Sequence, residues 1–107
     1  MEHSLRQHEG SWIVELHGDV DLNESPRARA VLLEAVARGG RVVVDLSGVP
    51  YMDSSGVASL VEALQHARRS DVSFSLAAVQ ERALRVLKLA RLDRVFTIHE
   101  ELADGLQ

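Results

Sequence analysis

The chain has 107 residues, 46% of them hydrophobic, which suits one domain that removes roughly 65% of its unfolded surface from water. Its 12 basic and 16 acidic residues give a net charge of -4, so there is no electrostatic reason to hold a phosphate backbone and nucleic acid is not an expected partner. Cysteine is absent, which excludes disulfides, thiolate metal sites and cysteine nucleophiles together.

The first residues, Met1 to Arg6, lack the apolar stretch of a signal peptide. No segment approaches the ~20 apolar residues that a membrane helix needs. The expectation is a cytoplasmic protein without direct membrane insertion, a single domain whose core runs from about Leu5 to Leu106. Ser11 to His17 places Trp12, Val14 and Leu16 on one side, the alternation of a strand half buried against helices, and Leu5 to His8 is a candidate to pair with it. Ser25 and Pro26 supply an N-cap hydroxyl and a first-turn proline, and Ala28, Val31, Leu32, Ala35 and Val36 follow at helical spacing until Gly39-Gly40. Arg41 to Leu46 carries three successive valines, expected of a central strand covered on both faces. Val57, Leu60, Val61, Leu64 and Ala67 mark a second helix over Ser54 to Arg69. Val72 to Ala77 alternates as a strand, Ala83, Val86, Leu87 and Ala90 mark a third helix, and Val95 to Ile98 is a short strand before a last helical turn. Strands alternating with helices predict an α/β domain with a mixed, mostly parallel sheet of four to five strands.

Chemistry concentrates in Asp45 to Val57, where a buried strand runs through a loop into the amino terminus of the second helix. Ligands and switch residues sit at such places in α/β folds. Ser54 falls at the first helical turn, where unpaired N–H groups and the helix dipole stabilise an added phosphate. Taken alone, Asp53-Ser54 is also a plain helix cap.

The whole segment resembles the STAS-domain anti-sigma-factor antagonists, whose pattern is a strand, a short loop, Asp-Ser-Ser/Thr-Gly and an amphipathic helix. His17-Gly18-Asp19-Val20-Asp21 is similar to a second signature of that family, directly after the second strand. The resemblance implies that Ser54 is a phosphate acceptor and that Asp21, Asp53, Ser54, Ser55 and Gly56 form the partner-binding site. Asp53 sets the geometry of the acceptor loop, and Gly56 permits close backbone approach. It also implies a non-enzymatic partner switch without a cofactor. The unphosphorylated form binds an anti-sigma factor that is also a GHKL-type serine kinase, and a PP2C-type phosphatase resets the phosphorylated form. Two departures from the family pattern are Ala58, where relatives carry a second glycine, and the loop Leu22 to Pro26.

Other patterns in the chain fail as sites. Asp19-x-Asp21-x-Asn23 imitates the start of an EF-hand loop, but Glu24 stands where glycine is required and Ala30 where a bidentate glutamate is required. The histidines His3, His8, His17, His66 and His99 have no metal-ligand spacing, and neither Ser54 nor Ser55 lies in a hydrolase motif. Arg82, Arg85, Lys88 and Arg91 recur every three residues, as a solvated helix face or a contact strip for an acidic partner. Trp12 reads as a residue of the sheet face rather than a cofactor platform. Two rival roles on the same fold are an accessory or regulatory subunit of a membrane transporter and a scaffold in a large stress-sensing assembly.

Overall fold

The computed structural model describes residues 1–107. The strands β1 (Glu2–His8), β2 (Ser11–His17), β3 (Arg41–Gly48), β4 (Ser73–Ala77) and β5 (Thr97–His99) form one sheet in that spatial order. β1 and β2 are antiparallel and every other neighbouring pair is parallel, so the expected mixed, mostly parallel α/β sheet is present with five strands. The hairpin between β1 and β2 turns on Glu9 and Gly10, both with positive φ (47° and 84°), which matches the twist of an antiparallel ribbon.

Three helices, α1 (Ser25–Arg38), α2 (Ser54–Arg69) and α3 (Glu81–Leu89), cover one face. Their apolar positions at helical spacing meet Val14, Leu16, Val42, Val44, Leu46, Phe74 and Leu76 in one core. Each fully buried leucine there contributes on the order of 1.5–3 kcal/mol by leaving water. The opposite face is thinner. Ile13 and Val43 are fully buried outside that core, and the short α4 (Leu102–Gly105) lies so close to Val43 that a Cβ on Gly105 would stand 3.0 Å from its side chain. β3 is therefore buried on both faces at its valines but only partly covered at Asp45.

Several boundaries move for identifiable reasons. β1 begins at Glu2 rather than near Leu5, because an edge strand held by backbone pairing needs few apolar residues and only Leu5 is drawn toward the core. β4 buries Phe74, Ser75, Leu76 and Ala77 together, as a central strand, where alternation alone implied one buried side. A single-turn 3₁₀ segment, Leu92–Arg94, takes up the chain before β5, which starts at Thr97 instead of Val95. The start of α1 is also corrected. Ser25 is the first helical residue and its hydroxyl donates to the Leu22 carbonyl at 3.4 Å, whereas the residue at the cap position is Glu24, whose side chain makes no capping bond.

Candidate functional site

The loop from β3 to α2 is held in place by the loop that follows β2. Val20 and Met52 form an isolated parallel bridge, the Val20 N–H donates to the Tyr51 carbonyl at 3.1 Å, and the Asp53 N–H donates to the Val20 carbonyl at 3.3 Å. Upstream, the Gly18 N–H donates to the Gly48 carbonyl at 2.8 Å. The two acidic motifs of the sequence are thereby joined side by side, with Asp19 and Asp21 flanking the residue that receives Asp53.

Asp53 is the N-cap of α2. Its Oδ1 accepts from the Ser55 N–H at 2.9 Å, the Gly56 N–H at 3.2 Å and the Ser55 hydroxyl at 2.5 Å. The Ser55 hydroxyl is the largest cause holding the Asp53 carboxyl below its usual value of 3.8, helped by the N–H groups of Gly56 and Ser55 and opposed by partial desolvation. Asp53 is therefore an anion at neutral pH. Of the donors expected to be free for a phosphate, the Ser55 and Gly56 N–H groups are already in use, so the helix dipole favours added negative charge there without those two bonds.

The two serines differ sharply in environment. Ser55 is partly buried and its hydroxyl is spent on Asp53, whereas Ser54 is exposed. Ser54 lines an open depression of about 590 Å³ with Val57, Ala58, Val61, Glu62 and Gln65. Gly56 packs directly under the neighbouring loop: a Cβ there would lie 2.5 Å from the Val20 carbonyl oxygen and 2.5 Å from Met52 Cγ. Close backbone approach is the reason for glycine at this position.

Asp21 has a local job that sequence reasoning missed. Its Oδ1 accepts from the N–H groups of Asn23 and Glu24, both at 3.1 Å, and its carbonyl accepts from Glu24 and Ser25. The side chain thus builds the turn that launches α1, the task assigned above to Ser25, and its carboxylate is turned toward backbone amides. Tyr51 was also missed. It is 37% exposed beside Met52, and the Arg82 guanidinium stands over its ring at 5.4 Å, which ties α3 to the loop before α2. No sequence signal marks that contact, because the two residues lie on separate elements. Of the other residues singled out, Trp12 packs against the core edge under the Arg38 guanidinium at 4.6 Å, and Arg85 pairs with Glu81 at 3.4 Å.

The chain is similar to known proteins over nearly its whole length. The STAS domain family model matches residues 2–105. An anti-sigma-B factor antagonist of Bacillus subtilis (strain 168) is 25% identical over 103 residues, covering 96% of this chain and 94% of the relative. Among solved structures, an anti-sigma factor antagonist from Mycobacterium paratuberculosis superposes with a TM-score of 0.90 at 24% identity, covering 98% of this chain and 90% of that one. The antagonist SpoIIAA in its unphosphorylated form superposes with a TM-score of 0.81 at 16% identity, covering 98% of this chain and 93% of that one. A Bacillus cell fate determinant, SpoIIAA in the phosphorylated form, superposes with a TM-score of 0.74 at 16% identity, covering 98% of this chain and 96% of that one.

Proposed function

The chain belongs to the STAS domain family, and within that family we propose that it acts as an anti-sigma factor antagonist, a binding switch set by phosphorylation of Ser54. The observation that carries this reading is the division of labour between adjacent serines. Asp53 engages the Ser55 hydroxyl and leaves Ser54 exposed in the lining of an open depression, where a kinase active site can reach it. The unmodified form binds an anti-sigma factor that is also its GHKL-type serine kinase, and a PP2C-type phosphatase restores that form. No catalytic role is assigned to the domain itself.

Electrostatics supplies the switch. Phosphate adds about -1.5 to -2 charges and three acceptor oxygens. Beside the ionised Asp53, whose carboxylate already occupies the amides of Ser55 and Gly56, that charge stays on the surface and opposes a docked partner. Asp21 and Asp19 lie on the adjoining loop and add to the negative field.

Incubation with its cognate GHKL-type serine kinase and ATP tests the acceptor. Intact-mass analysis with fragment mapping should place one phosphate on Ser54, with Ser54→Ala unmodified and Ser55→Ala still modified. Phosphate on Ser55, or undiminished labelling of Ser54→Ala, rejects the assignment.

A further inference from the structure

Five of the chain's cations, Arg6, Arg27, Arg29, Arg38 and Arg85, are held in ion pairs with carboxylates. The other basic side chains, apart from Arg41 on carbonyl oxygens, are Arg68, Arg69, Arg82, Lys88, Arg91 and Arg94, all exposed. They come from the carboxyl end of α2, from α3 and from the 3₁₀ turn. Arg68 donates to the Val95 carbonyl at 3.3 Å, which brings the end of α2 against that turn. Two large apolar side chains on the same segments are exposed, Leu89 at 81% and Val95 at 40%. In a chain of net charge -4, Arg82, Arg85, Lys88, Arg91 and Arg94 against only Glu81 and Asp93 over residues 81–94 are a local excess of positive charge.

We propose that α3 and the 3₁₀ turn form a second docking surface, for an acidic amphipathic polypeptide segment whose aliphatic side chains seat around Leu89 and Val95 and whose carboxylates meet Lys88, Arg91 and Arg94. Exposed aliphatic side chains next to unpaired arginines are the composition of a protein interface rather than of a solvated helix face. The occupant is a polypeptide and not an anionic bilayer for two reasons. The apolar face of α3, Ala83 and Leu87, is consumed by the core, so the helix has no broad apolar side to lay into lipid. The rest of the molecule is acidic and is repelled by an anionic surface. Arg82, stacked on Tyr51, places one end of the strip beside the acceptor loop. The surface itself does not depend on phosphorylation of Ser54.

The test is fluorescence anisotropy with a labelled helical peptide carrying Leu at every third or fourth position and Glu elsewhere. The full chain should bind it, and affinity should fall steeply between about 50 mM and 200 mM salt, as exposed charge contacts become screened. R91E/R94E should weaken binding at least about tenfold and Leu89→Ser should weaken it severalfold, both with wild-type circular dichroism, while Ser54→Asp should change nothing. Absence of binding, or equal binding by wild type and R91E/R94E, overturns the proposal. So does retention of the protein on phosphatidylglycerol vesicles or duplex DNA in preference to the peptide. Because Ser54→Asp separates the two sites, failure here leaves the phosphorylation switch standing, and failure of the switch leaves this surface standing.

Discussion

The role of Ser54 rests on the state of Asp53, and that state is measurable. The Ser55 hydroxyl and two backbone amides hold the Asp53 carboxyl below 3.8, so over a window below that value the unfolded chain binds a proton that the folded chain does not. Stability from this group is complete at neutral pH and is lost as pH falls through the lowered folded value. Ser55→Ala removes the largest cause and should raise the Asp53 pKa toward its usual value in an NMR titration, shrinking this part of the acid dependence. Ser54→Ala should leave the titration unchanged. If the two substitutions act alike, the serines are not distinguished in the way proposed. The tetrapeptide Asp53 to Gly56 before an amphipathic run made a helix cap at Asp53 or Ser54 legible in the sequence. That Asp53 is the cap, and that its carboxylate also takes the Ser55 hydroxyl and leaves Ser54 exposed, was not legible, since either residue could have taken the amides.

At the scale of elements, the site depends on how closely the start of α2 approaches the loop after β2. At an exposed helical position Gly→Ala gains up to about 1 kcal/mol in helix propensity. At Gly56 the added methyl would meet the Val20 carbonyl and Met52 at 2.5 Å, and overpacking of this kind costs about 1–3 kcal/mol. The clash wins, so Gly56→Ala should lower stability by about 1–2 kcal/mol in urea unfolding despite the better helix former. An unchanged or raised midpoint would show that the loops are not locked together as described. The bridge between Val20 and Met52 joins segments some thirty residues apart without a periodic signal, which is why periodicity found the helix and missed its clamp. The same limit explains α1: Ser25-Pro26 carries a familiar start signal, yet Asp21 one turn earlier makes the bonds. Long amphipathic elements such as α2 were read to the residue because their buried face repeats, whereas β5, with three residues, offers too little repeat to locate.

The whole molecule is a rigid platform that presents two charge-segregated regions, acidic loops around Ser54 and a basic strip along α3. A domain with one continuous core of 23 buried residues should respond to surface phosphate without unfolding. Family membership rests on the STAS domain match over residues 2–105, and the order of strands and helices that goes with it was visible in the sequence. The central claim is that phosphate on Ser54 changes docking and not folding. Calorimetric titration of the unmodified and enzymatically phosphorylated protein against the GHKL-type kinase, with melting curves of both forms, measures it directly. The phosphorylated form should bind at least about tenfold more weakly, a loss of roughly 1.4 kcal/mol, with a nearly unchanged melting temperature. Equal affinity of the two forms, or affinity lost only together with folded structure, would contradict the account.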